Sequence, residues 1–136
     1  MRVTKNIISI MLAILIFSNS VYAATNRAVQ PRYAYINSVM AGLSIDEIFG
    51  IATCVATVTV RDSDSAMLYC LLQRYEDGGW VTIKSWAHTD TITAYVDKQY
   101  AVYRGYTYRL KVTGYALDSA GNILETVTQY STYETL

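Results

Sequence analysis

IATCVATVTV, residues 51 to 60, alternates strictly: Ala52, Cys54, Ala56, Val58 and Val60 hold the even positions, and Thr53, Thr57 and Thr59 fall among the odd ones. A period of two in β-branched residues marks a half-buried strand, because successive side chains leave opposite faces of the pleat. The even set is the one to bury. Outward from this stretch, RDSDS (61–65) breaks the pattern and AMLYCLLQRY (66–75) resumes it, with Leu68, Cys70 and Leu72 on one face and Met67, Tyr69, Leu71 and Gln73 on the other. EDGG (76–79) reads as a turn, WVTIKSW (80–86) as a strand, and TDTITAYVDKQYAVY (89–103) as a longer stretch in which Ile92, Ala94 and Val96 alternate. YTYRLKVTGYA (106–116) directs Tyr106, Tyr108, Leu110, Val112 and Ala116 inward and Thr107, Arg109, Lys111 and Thr113 outward. DSAGN (118–122) then turns the chain, and ILETVTQY (123–130) closes it. SIDEIFG (44–50) is the one helical alternative, with Ser44 as cap and Glu47 three residues on, but it is too short to change the class. About seven such segments, each with one apolar face to bury, predict an all-β fold: a two-sheet antiparallel sandwich.

The first residues bear on compartment. Arg2 and Lys5 precede IISIMLAILIF (7–17), followed by polar SNS and by VYA, with Val21 and Ala23 spaced as a cleavage box requires. Residues 1–23 are therefore expected to be a signal peptide, and the protein secreted, either extracellular or associated with the cell envelope. The apolar run is shorter than the roughly 20 residues that span a bilayer, so no membrane association is expected after cleavage. Residues 24–32 read as a flexible N-terminal arm, and residues 33–136 as the sandwich domain. Beyond residue 23 nine Lys/Arg stand against eleven Asp/Glu, a formal −2. This argues against nucleic acid, which needs a concentrated basic surface.

GYTYRLKVTGYALDSAGN (105–122) resembles the penultimate strand and last hairpin of fibronectin type III-like domains, and Tyr108 matches the core tyrosine of that strand. Through ATC in the second strand, LQRYEDGGWVTIKSW in the middle and YRLKVTGYA near the end, residues 33 to 131 also resemble a family of small secreted domains of unknown function from Gram-positive bacteria. The resemblance implies an immunoglobulin-like sandwich and no activity.

Cys54 and Cys70 are the only two cysteines. Zinc needs about four converging ligands, and the chain offers these two thiols and His88, its single histidine. A redox pair is usually close in sequence, as in C-x-x-C, whereas fifteen residues intervene here. A buried disulfide between Cys54 and Cys70 is the expectation, with two unpaired core thiols as the alternative. Export permits the bridge, and a fibronectin-like topology sets the second and third strands in opposite sheets, so the two side chains would face each other across the core. If residues 62–65 closed a simple hairpin instead, Gln73 rather than Cys70 would lie opposite Cys54.

Signals of catalysis are few, and no enzyme activity or cofactor is expected. His88 and Asp90 share one strand face and form the one conceivable acid/base pair, although WAHTD reads more simply as a polar loop. No serine lies in a G-x-S-x-G elbow, and no glycine-rich phosphate loop is present. Asp62 and Asp64 could hold calcium, but short Asp/Ser loops are ordinarily plain turns, and no metal site is assigned.

The informative excess is aromatic: 13 tyrosines and two tryptophans. If Leu68, Cys70 and Leu72 point inward, Tyr69 and Tyr75 point outward. If Val81 and Ile83 point inward, Trp80, Lys84 and Trp86 point outward. With Arg109, Lys111 and Tyr115 they would share one aromatic, partly basic sheet face. Such faces usually mark contact surfaces, and flat Trp and Tyr rings suit sugars as well as proteins. The opposing reading is a bulge that breaks the parity and buries one or both tryptophans. The expectation is a secreted, non-catalytic binding module for a cell-wall glycan or surface protein, with binding residues Trp80, Trp86, Tyr69, Tyr75, Lys84, Arg109 and Tyr115. The alternative is a structural or self-associating envelope protein.

Overall fold

The computed structural model describes residues 33–136; the expected signal peptide and arm, residues 1–32, lie outside the described residues. Eight strands follow in order: β1 (Ile36–Asp46), β2 (Ile51–Val60), β3 (Ser65–Glu76), β4 (Gly79–Asp90), β5 (Thr93–Ala101), β6 (Thr107–Leu117), β7 (Ile123–Tyr130) and β8 (Glu134–Thr135). One antiparallel sheet has the order β1-β2-β5 and the other β4-β3-β6-β7, with β8 pairing β6 beyond the end of β7. The fold is thus the two-sheet antiparallel sandwich that the alternation implies. β2 and β3 belong to different sheets, so residues 61–64 cross the sandwich and close no hairpin.

The period-two pattern becomes the core. Ala52, Cys54, Ala56 and Val58 of β2 face Leu68, Cys70 and Leu72 of β3 and Tyr108, Leu110, Val112 and Ala116 of β6, all fully buried. Ala94 and Val96 extend the core along β5, whereas Ile92 precedes that strand and is exposed. The Tyr108 hydroxyl donates to the Tyr103 carbonyl at 2.6 Å and accepts from the Tyr103 amide at 3.0 Å. It pins the crossover from β5 to β6 in the manner of a tyrosine corner. SIDEIFG forms no helix. Ser44 to Asp46 end β1, and Asp46 Oδ1 accepts the amides of Ile48 and Phe49 at 2.8 and 3.0 Å. Gly50 closes that turn at φ 65°, a backbone region that side chains with a Cβ rarely adopt.

The expected disulfide is absent: Cys54 and Cys70 are free thiols, both fully buried. They point inward from opposite sheets as the topology requires. Each sulfur is lodged among the buried apolar side chains of the core. Apolar packing fills the space between the sheets, and the thiols behave as small core groups.

Candidate functional site

The outer face of the five-stranded sheet is built by register. Tyr69, Leu71, Gln73 and Tyr75 of β3 pair with Thr113, Lys111, Arg109 and Thr107 of β6, and paired residues project to the same side. β7 adds Thr126, Thr128 and Tyr130 opposite Tyr115, Thr113 and Lys111. β4 contributes Trp80 opposite Tyr75 and Thr82 opposite Gln73.

Two aromatic groups stand at the ends of this face. Tyr69 and Tyr115 meet edge to face at 6.2 Å between centroids. Six residues along β3, about 20 Å away at the rise of a strand, Trp80 packs against Tyr75 at 5.3 Å and against Tyr133 at 5.1 Å. The Arg109 guanidinium is held 4.3 Å from the Trp80 ring centre and 4.4 Å from that of Tyr130. Those rings come from β4 and β7, on either side of the two central strands, so the cation is stacked between them. Its Nε donates to Gln73 Oε1 at 2.8 Å, and Gln73 Nε2 donates to Thr82 Oγ1 at 3.2 Å. Gln73 is therefore buried on the outer side of the sheet with both ends of its amide bonded. Beside Arg109 an open hollow of about 660 Å³ is lined by Arg109, Tyr130, Ser131, Thr132 and Tyr133.

Five of the seven expected binding residues, Tyr69, Tyr75, Trp80, Arg109 and Tyr115, share this face. Trp86 and Lys84 do not. Leu72 pairs with Lys84 but Gln73 with Thr82, so Ile83 is an extra residue in β4 and reverses its parity. Trp86 lies opposite Cys70 on the inner side, half-buried against the core and edge to face with Tyr100 at 6.5 Å. The Lys84 ammonium approaches the same Tyr100 ring at 5.9 Å. Ile83 packs against the core as expected, but Val81 is exposed.

Tyr130, Tyr133 and Gln73 complete the site and were missed as site residues. Tyr130 was legible, since an inward Val127 puts Thr126, Thr128 and Tyr130 outward. Tyr133 was not, because the chain kinks at Ser131. The Ser131 hydroxyl accepts the Leu110 amide and donates to the Thr132 carbonyl, both at 2.8 Å, and the alternation restarts beyond it.

A second hollow, about 450 Å³, lies between the sheets beside Arg74, Ile83, Tyr100, Tyr103 and Tyr108. Arg74 there is committed to Glu76 at 2.6 Å, which neutralises its charge. His88 Nε2 stands 3.7 Å from Asp90 Oδ2 on the exposed part of β4. No group of three or more metal-ligating side chains occurs among the described residues. No family model, curated protein or solved structure matches the chain.

Proposed function

We propose that residues 33–136 form an exported, non-catalytic binding module whose ligand surface is the outer face of the five-stranded sheet, and that its ligand is a glycan. The carrying observation is the Tyr75, Trp80 and Tyr133 cluster beside the 660 Å³ hollow, where Tyr75 and Tyr133 are 46% and 62% exposed. Rings of this size left open to water in a domain that has already filled its core represent unspent apolar area. Around them the face offers hydroxyls, from Thr82, Thr107, Thr113, Thr126 and Thr128, more than aliphatic side chains. Flat rings flanked by hydroxyls and one guanidinium suit sugar rings, which stack by their C–H faces and hydrogen-bond by their edges. An interface core between proteins is ordinarily poorer in such polar groups.

Trp80→Ala combined with Tyr133→Ala is expected to abolish retention on insoluble cell-wall polysaccharide in pull-down assays while the far-UV circular dichroism is kept. Trp86→Ala, on the other side of β4, is expected to lower stability and leave retention intact. Retention indifferent to the first pair removes the proposal.

A further inference from the structure

The described domain has seven Lys/Arg against eleven Asp/Glu, a formal −4, yet none of the eleven carboxylates lies on the ligand face. Two cations do, Arg109 and Lys111, two residues apart on β6 and so about 7 Å along the strand. Neither belongs to an ion pair among the described residues, where the two pairs are Arg74 with Glu76 and His88 with Asp90. A net-acidic domain has thus cleared acids from the one surface that carries its open rings.

Arg109 is also prepared geometrically. Its Nε is used on Gln73, which orients the guanidinium, and the rings of Trp80 and Tyr130 hold the group between them. The terminal Nη groups donate to no protein acceptor among the described residues and border the hollow. A guanidinium so fixed presents donors only along its edge, in its own plane. A planar carboxylate can meet that edge through two parallel hydrogen bonds and stay between the rings, whereas a tetrahedral phosphate projects oxygens out of the plane.

We infer that the glycan bound by this face is acidic, and that Arg109 grips the carboxylate of a uronic acid unit while Trp80 and Tyr133 stack the neighbouring sugar, with Lys111 adding a second positive charge along the chain. This rests on the reading of the face as a glycan site.

The test uses polygalacturonate, alginate and hyaluronate, each before and after chemical reduction of its carboxyl groups, with cellulose as neutral polymer and poly(glycerol phosphate) as phosphate polymer. Retention of the wild-type domain on at least one uronate, weakened about tenfold or more by carboxyl reduction, is expected from the strength of hydrogen bonds to charged groups. Arg109→Lys, which keeps the charge and most of the stem but loses the fork, and Arg109→Gln are expected to weaken uronate binding by a similar factor. Carboxyl reduction needs no change in the protein, so the outcome does not depend on how the variants fold. Equal retention on native and reduced polymer, or preference for cellulose or the phosphate polymer, overturns the carboxylate contact and leaves the face reading standing if Trp80→Ala still abolishes binding. Retention on none of the polymers, or binding that survives Trp80→Ala, overturns both.

Discussion

Burial decides what Cys54 and Cys70 can do. Removal from water pushes each thiol up to about 12, and for Cys70 the nearby Cys54 adds to the rise. Thiolate is the nucleophilic form, so near neutral pH neither sulfur is reactive despite the free state. With a thiol-reactive disulfide reagent at pH 8 the folded protein is expected to stay unlabelled, and both thiols should titrate once denaturant is added. Intact mass should be the same with and without reductant. Rapid labelling of the native state, or a difference of two hydrogens on reduction, would contradict the packing. The alternation around both residues was enough to turn them inward. It carries no information on how the two side chains meet across the core, which is what decides between a bridge and two thiols.

At the scale of the strand, one extra residue in β4 and one missing Cβ in β6 shape the molecule. The bulge at Ile83 divides the two tryptophans between opposite sides of the sheet, so the longest aromatic parity in the sequence is the one that misleads. WVTIKSW contains no glycine to announce a bulge; the irregularity lies in how β4 registers on β3. Gly114 works in the opposite sense, letting the sheets approach. A Cβ there would stand 2.7 Å from a Val58 methyl and 3.0 Å from a Val39 methyl, both branched and already packed. Gly114→Ala is therefore expected to destabilise by about 1–3 kcal/mol, as overpacked cores do. In a domain of about 100 residues that lowers the unfolding midpoint by roughly 4–8 °C per kcal/mol. A thermal melt checks it, and an unchanged midpoint would mean that the β2 and β6 contact has slack.

In the whole molecule the two sheets are fastened at one edge by a carboxylate. Glu125 on β7 accepts the amides of Ala34, Tyr35 and Ile36 at 3.0, 2.9 and 2.6 Å, where the chain runs into β1 of the other sheet. Arg61 bonds the Ala34 and Tyr33 carbonyls at 3.2 and 2.6 Å beside it. Burial alone would raise the Glu125 carboxyl, but the amides of Ile36, Tyr35 and Ala34, with the Arg61 charge, hold it below its ordinary value of 4.5. A depressed carboxyl binds its proton more tightly in the unfolded chain, so the stability it supplies is complete above about pH 4.5 and lost as pH falls through the lower folded value. Glu125→Gln is expected to flatten the acid limb of a stability against pH curve measured by urea unfolding. A limb as steep as in wild type would show that other groups govern it. Fastening at this edge leaves the broad face of the five-stranded sheet free, and there the aromatic rings and the two unpaired cations collect.

Alternation along IATCVATVTV and YTYRLKVTGYA determined the strands, the buried set and hence the sandwich, because a period of two is a local property of the backbone and survives any arrangement of neighbours. The same local rule placed Tyr69, Tyr75, Arg109 and Tyr115 on the outside. Pairing between strands distant in sequence decided the rest. The register slip at Ile83 kept Trp80 outside and turned Trp86 inward, the kink at Ser131 delivered Tyr133, and packing across the core left the two cysteines as free thiols. Each depends on where another strand lies, and a single strand's pattern cannot encode that.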